Sequence, residues 1–282
     1  MPETRILITG TTGQVGGELL RLFPDAFAPT RAHLDLTDES SIRTYIRQHK
    51  PRWIINPAAY TAVDKAESEP ALAHAINAEA PRILGEEARE IGATVIHFST
   101  DYVFDGTKPT PYVESDPTNP PGIYGATKLV GEQALAASGA AHVVLRTSWV
   151  YGATGKNFLL TILKLAAQRP ELKIVADQHG APTWSRDLAS LTAQIVGAET
   201  APTGIYHATN QGETTWHGFA TEFLRLANIR ANLIPIPTSA YPTPAHRPAN
   251  SRLNCEKLHR TFGIQLPNWQ QSLTTVMQQL SA

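Results

Sequence analysis

Gly10-Thr11-Thr12-Gly13-Gln14-Val15-Gly16 follows at once on the apolar run Ile6-Leu7-Ile8 and leads into an amphipathic stretch from Val15 to about Phe23. A short β-branched run, a glycine-rich turn and a helical period, in that order, predict a strand, a tight turn and a helix. Glycines at positions 10, 13 and 16 permit the turn and let the backbone approach a pyrophosphate. They also leave the first helical N–H groups, at Gln14 and Val15, free to meet an anion. A triple glycine of this kind also serves as a plain strand-to-helix connection, so its surroundings decide the reading.

Those surroundings keep the same rhythm. Trp53-Ile54-Ile55 predicts another buried strand, Ala71 to Glu90 a helix, Thr94-Val95-Ile96-His97-Phe98 a strand, Tyr124 to Ala137 a helix and His142 to Leu145 a strand. Strands that are apolar at nearly every position belong to a parallel sheet covered by helices on both faces. The expected fold class is α/β, a Rossmann-type doubly wound parallel sheet with a smaller, mainly C-terminal α/β substrate-binding domain, and a dinucleotide bound in the first βα crevice.

Beyond Trp149 the order changes to a helix near 157–168, a strand at 172–175, a helix from Arg186 to Val196, a strand at 204–207 and further helices. The expected organisation is a dinucleotide-binding domain over 1–150 and a mainly substrate-binding domain over 151–282. Segments near 172–208 are candidates to return to the first domain. Pro235, Pro237, Pro242, Pro244 and Pro248 break regular structure between Leu233 and Asn250, which predicts a shaped, functional loop there.

A chain of 282 residues, 42% of them hydrophobic, can bury a large core. Its 24 basic and 25 acidic residues leave a net charge of -1, with no electrostatic footprint for nucleic acid. Cys255 stands alone, which excludes an internal disulfide and suits a reducing compartment. Met1-Pro2-Glu3-Thr4-Arg5 runs straight into the first strand, and no apolar stretch reaches about 18 residues. The expectation is a cytoplasmic protein with no membrane partner.

Ala26-Phe27-Ala28-Pro29-Thr30-Arg31 reads as the end of the second strand. It carries no acid for a ribose 2'-hydroxyl but ends on Arg31, which suits a 2'-phosphate and favours NADPH, with NADH as the alternative. A solvated surface arginine is an equal reading. Asp35, beside Leu36, lies about 20 residues past the glycines and suggests an adenine contact or capping of the next helix.

The strand ending at Phe98 is followed by Ser99-Thr100-Asp101-Tyr102, so hydroxyls stand where open parallel sheets place their ligands. Tyr124-Gly125-Ala126-Thr127-Lys128 puts Tyr and Lys on one helix face. Reduction of a ketone by hydride needs a proton donor to the forming alkoxide and a donor that fixes the carbonyl. Tyr124 can supply the proton, an ammonium at Lys128 would lower its pKa, and Thr100 or Ser99 can hold the oxygen. Alone, YxxxK is usually a chance pairing. Its order after the glycine turn and the strand-end hydroxyls gives it weight.

Together these elements resemble the extended short-chain dehydrogenase/reductase superfamily. Longer segments are similar to its dTDP-4-dehydrorhamnose reductase family nearly end to end: Asn56 to Glu67, Ser99 to Phe104, Arg146 to Tyr151, Pro237 to Pro244 and Arg247 to Leu253. The resemblance implies Thr100, Tyr124 and Lys128 as the catalytic trio, with Ala59, Tyr60 and Thr61 lining the cofactor. It also implies Thr100, Asp101 and Trp149 against a nucleotide-sugar substrate, and transfer of hydride from NAD(P)H to C4 of a dTDP-linked 4-keto-6-deoxy sugar. Trp149 suits a deoxysugar face and equally a core position. Arg247 and Arg252 suit a diphosphate and equally surface ion pairs.

Some members of that family hold magnesium with carboxylates at a dimer interface. Glu18 would be one ligand, but Arg186 stands where another carboxylate belongs, which puts Mg2+ in doubt; no metal site is expected, and a monomer or a homodimer is equally consistent. A nucleotide-sugar epimerase and a non-catalytic NADP-binding regulatory subunit share the same motifs as rival expectations.

Overall fold

The computed structural model describes residues 5–198 and 201–281; Met1 to Thr4, expected to lead straight into the first strand, lie outside them. In chain order the strands are β1 (Ile6–Ile8), β2 (Trp53–Asn56), β3 (Thr94–Thr100), β4 (Ala141–Thr147), β5 (Val150–Tyr151), β6 (Glu171–Val175), β7 (His179–Gly180), β8 (Thr183–Trp184), β9 (Gly204–His207), β10 (Thr214–Thr215) and β11 (Asn232–Ile236). The α-helices are α1 (Gln14–Leu22), α2 (Glu39–His49), α3 (Val63–Ala66), α4 (Pro70–His74), α5 (Ala80–Ile91), α6 (Ile123–Ala137), α7 (Phe158–Ala166), α8 (Ser185–Gly197), α9 (Trp216–Leu226), α10 (Glu256–Phe262) and α11 (Trp269–Ser281).

Five parallel strands in the order β1-β2-β3-β4-β9 form the main sheet. Successive side chains point to opposite faces, and both faces are dry. Ile6, Ile8, Ile55, Ile96 and Leu145 pack on one face beneath α1 and α8. Leu7, Ile54, Val95 and Val144 pack on the other beneath α2, α5 and α6. That double covering is the reason the strands read as continuous apolar runs, and it makes the sheet a Rossmann-type, doubly wound one. A separate core gathers Leu159, Leu172, Ile174, Phe219, Phe223 and Leu273 from α7, β6, α9 and α11.

Several expectations change. The strand anticipated over 26–31 shrinks to one bridge, Phe27 to Leu7, with Phe27 N donating to Ile6 O (2.8 Å) and Ile8 N to Phe27 O (2.9 Å). Pro29 has no N–H to continue the ladder. The helix anticipated from Ala71 to Glu90 is interrupted by a π-turn, Ala75–Glu79. Pro81 cannot donate to the Asn77 carbonyl four residues earlier, so the ladder slips there. The proline-rich stretch expected to lack regular structure begins with a strand, β11, paired in parallel with β6 and placing Pro235 opposite Ile174. An edge strand of a two-stranded sheet tolerates proline. Asp38, not Asp35, caps α2: its carboxylate accepts from Ser40 N (2.9 Å), while that of Asp35 accepts from Thr37 N (2.9 Å).

Between β1 and α1 the glycine turn is compressed. Gly10 adopts φ +58° and lies against Ala58, where a Cβ would come within 2.9 Å. A Cβ on Gly16 would meet the Gly10 carbonyl oxygen at 2.2 Å. Only glycine lets α1 begin this close to the turn.

Candidate active site

A cavity of about 1490 Å³ opens over the C-terminal ends of β1, β3 and β4, and the glycine turn forms part of its wall. Gly10, Gly13, Gln14, Val15, Gly16, Ala59, Thr61, Thr100, Asp101, Tyr124, Lys128, Trp149 and Arg247 all line it. The expected residues Arg31, Asp35, Leu36, Tyr60 and Arg252 do not.

At the turn, α1 starts from Gly13 with no side chain capping its first N–H groups, so those donors are left for a ligand. With the close backbone approach at Gly10 and Gly16, this cradle fits the pyrophosphate of a dinucleotide. Gln14 also braces the wall: its Oε1 accepts from Asn157 Nδ2 (2.9 Å), and Asn157 in turn caps α7 through Leu160 N (3.0 Å). Across the cavity the Asn77 side chain, carried by the π-turn, clamps the 59–61 segment. Its Oδ1 accepts from Tyr60 N (2.8 Å), and its Nδ2 donates to Tyr60 O (3.1 Å) and Thr127 Oγ1 (3.2 Å). The Tyr60 ring turns away, its hydroxyl donating to Glu69, and that hydrogen bond pushes the phenol up to about 12.

The parallel register brings Thr100 to the end of β3 beside Tyr124 at the start of α6. Burial holds the Tyr124 phenol well above its ordinary value, and the charge of Asp101 adds to the shift; a hydrogen bond with Thr100 works the other way. Lys128 is 1% exposed, and burial pulls its ammonium down to about 7, opposed by the charge of Glu132. Its Nζ donates to the Phe98 carbonyl (2.6 Å) and lies 3.0 Å from His97 Nε2. Desolvation is the largest influence on the tyrosine's value here. Asp101, pushed up to about 6 by burial, accepts from Thr100 Oγ1 (3.1 Å) and leaves Oδ2 without a partner.

Trp149 adopts φ +49° and stacks on Trp216 with ring centroids 3.7 Å apart. Trp216, invisible to the sequence argument, is fixed by Phe158 beside it and by its Nε1 donating to Gln178 Oε1 (3.1 Å). Tyr102, also missed, packs edge-on against Tyr124 at 5.6 Å. Arg247 reaches the cavity from the proline-rich segment, pairs with Asp64 (2.8 Å) and lies 3.5 Å from the Tyr102 hydroxyl.

The remaining expected residues are occupied elsewhere. Arg252 donates to Pro109 O (2.6 Å) and Asn250 Oδ1 (2.8 Å), and pairs with Glu213 (3.1 Å) at a smaller cavity. Arg31 is 75% exposed and 3.4 Å from Asp35, and Leu36 packs on the core. Glu18 is held by Arg21 and Arg186, both at 3.0 Å. Among the described residues no group of three or more His, Cys, Asp or Glu is arranged to hold a metal ion, and no helix is long and apolar enough to cross a membrane.

A doubly wound sheet, a phosphate-type glycine cradle, and a strand-end Thr with a helical Tyr and Lys in one cavity define an oxidoreductase of the short-chain dehydrogenase/reductase class. The chain matches the family described as RmlD substrate binding domain over residues 4–282. It is 46% identical to dTDP-4-dehydrorhamnose reductase of Burkholderia thailandensis over 285 residues, 94% of this chain and 95% of that protein. Among solved structures it is similar to a dTDP-4-dehydrorhamnose reductase of Clostridium acetobutylicum, with TM-score 0.95, 37% identity, and coverage of 99% and 100% of the two chains. It is also similar to that of Bacillus anthracis in complex with NADP, with TM-score 0.94, 35% identity, and coverage of 98% and 99%. The chain belongs to the dTDP-4-dehydrorhamnose reductase family.

Proposed function

We propose that this protein reduces the C4 keto group of dTDP-4-dehydro-L-rhamnose to dTDP-L-rhamnose in the cytoplasm, with NADPH as the preferred reductant. The observation that carries this reading is the single cavity lined by the glycine cradle, Thr100, Tyr124 and Lys128. The names of its relatives and the NADP complex of the Bacillus anthracis protein support it. NADPH is favoured over NADH because Arg31, exposed and only loosely paired with Asp35 at 3.4 Å, is available to a 2'-phosphate.

When bound, the nicotinamide supplies a hydride to C4. Thr100 donates a hydrogen bond to the C4 oxygen, and Tyr124 gives that oxygen its phenolic proton, so one hydride and one proton complete the alcohol. The strongly raised value of Tyr124 keeps that proton in place until charge develops on the substrate. Lys128 then stabilises the tyrosinate left behind. Trp149 on its Trp216 support offers an apolar face to the deoxysugar, Asp101 an acceptor for a sugar hydroxyl, and Arg247 a cation for the diphosphate.

The test follows NADPH and NADH oxidation with the keto sugar generated in place by a dehydratase and an epimerase. Rapid oxidation with formation of dTDP-L-rhamnose is expected. Retained NAD with no net NADPH consumption would instead indicate an epimerase. Tyr124→Phe should lower kcat about 100- to 10,000-fold while cofactor binding, read by quenching of tryptophan fluorescence, is kept; near-normal turnover would overturn the assignment of the acid.

A further inference from the structure

Beneath α6 the sheet carries a line of polar groups where its neighbours are hydrocarbon. Leu7, Ile54, Val95 and Val144 fill this face with apolar side chains. Thr9, just past β1, Asn56, at the end of β2, and His97, midway along β3, continue it, Asn56 and His97 being partners in register. Thr9 Oγ1 lies 2.5 Å from Asn56 Oδ1, Asn56 Nδ2 lies 3.0 Å from His97 Nδ1, and His97 Nε2 lies 3.0 Å from Lys128 Nζ. Thr9, Asn56, His97 and Lys128 are 2%, 0%, 0% and 1% exposed. Burying four polar groups in a row is costly unless each finds a partner, and here each meets another member of the row, Lys128 also donating to the Phe98 carbonyl.

We propose that His97 is a positioning residue for Lys128: its Nε2 meets Nζ, as a lone pair when Lys128 is an ammonium and as an N–H when it is an amine, and Asn56 and Thr9 accommodate the matching tautomer. This rests on the reading of Lys128 given above. A neutral imidazole has one N–H. When Lys128 is an ammonium it donates to Nε2, so the ring proton sits on Nδ1 and must meet an acceptor, the carbonyl end of the Asn56 amide, whose NH2 then faces Thr9. When Lys128 is an amine the polarity reverses: Thr9 donates to the Asn56 carbonyl, the Asn56 amide to Nδ1, and Nε2–H to Nζ. A half-turn of one amide and a shift of the ring proton between nitrogens connect the two arrangements. His97 stays neutral in both, and the net change is the one proton on Lys128.

The surroundings agree. Burial and the nearby ammonium of Lys128 hold His97 well below the usual histidine range, so it does not compete for that proton. Among the described residues, the other titratable groups around the pair are His142 on β4, which also disfavours a charged His97, and Glu132 one turn along α6, which favours a charged Lys128. Glu132 is itself engaged by Arg146 (2.6 Å) and Ser99 (2.5 Å), so His97 is the side-chain acceptor within reach of Nζ. Tyr124 and Asp101 stand on the cavity side.

The test has an arm that needs no turnover. In the protein labelled with 15N at histidine, the His97 ring should carry its proton on Nδ1 below the titration of Lys128 and on Nε2 above it. A charged ring, or one tautomer throughout while the Lys128 Cε resonance titrates, would overturn the proposal.

In the assay, His97→Phe should shift the high-pH limb of kcat to lower pH and lower kcat near pH 8 about tenfold or more, the scale of leaving a buried charged donor short of an acceptor. His97→Gln, which keeps an acceptor oxygen, should stay within about threefold of the parent. An unchanged limb in folded, NADPH-binding His97→Phe would also overturn it. If His97→Phe fails to fold, His97→Gln and the tautomer measurement decide. If the parent protein does not oxidise NADPH with the keto sugar, the proposed reaction fails while the 15N result still judges His97.

Discussion

Asp101 carries a cost that can be measured. It is 4% exposed, one carboxylate oxygen has no partner, and burial raises its value from 3.8 to about 6. A raised carboxylate adds its full relative stability below about 3.8 and loses it as pH rises through about 6, where the folded protein must carry a buried charge. At about 1.4 kcal/mol for each pH unit between those values, the charge costs the fold about 3 kcal/mol at pH 8. Asp101→Asn should therefore raise Tm by several degrees at pH 8 and leave it nearly unchanged at pH 4, while weakening substrate binding. An equal gain at both pH values would refute the burial argument.

At the level of elements, the join between β1 and α1 is held by contacts too close for any side chain. Gly16→Ala would drive a Cβ to 2.2 Å from the Gly10 carbonyl oxygen, whereas at Gly17 a Cβ would meet Thr11 O at 3.5 Å, an ordinary contact. Gly16→Ala should abolish detectable NADPH binding by fluorescence and lower Tm. Its neighbour Gly17→Ala should bind normally and be more stable by up to about 1 kcal/mol, because alanine is the better helix former. Equal behaviour of the two variants would mean that the turn is not rigid. The π-turn in the helix before β3 works the same way: a single proline displaces the ladder and frees Asn77 to hold the 59–61 segment and Thr127 together.

Across the whole molecule, the proline-rich segment reaches back over the cavity to α3 through Arg247 and Asp64, which are 183 positions apart. The pair is partly exposed, 20% and 42% at the two side chains, so screening leaves it about 0–1 kcal/mol of stability. Arg247→Ala should therefore scarcely move Tm but raise the KM for the nucleotide sugar about tenfold or more, since one charge-assisted contact to a phosphate is lost. A large loss of stability with unchanged KM would make the arginine a clasp only.

That division of labour explains how much could be read from the chain alone. The glycine turn, the alternating apolar runs and the Tyr124/Lys128 pair are local patterns, written within a few residues, and they were enough for the sheet, the cradle and the meeting of Thr100, Tyr124 and Lys128 in one cavity. Phe27, Pro235 and the π-turn escaped, because proline effects depend on which strand is an edge and which carbonyl lies beneath. Tyr102, Trp216, Asp64 and His97 escaped for another reason. Asn56 meets His97 across 41 residues and His97 meets Lys128 across 31, distances set by the lengths of the crossover helices and the register of the parallel strands. A residue's type and its neighbours in sequence dictate what it can do; only the packing of helices on both faces of the sheet decides which partner, and how dry a setting, it does it with.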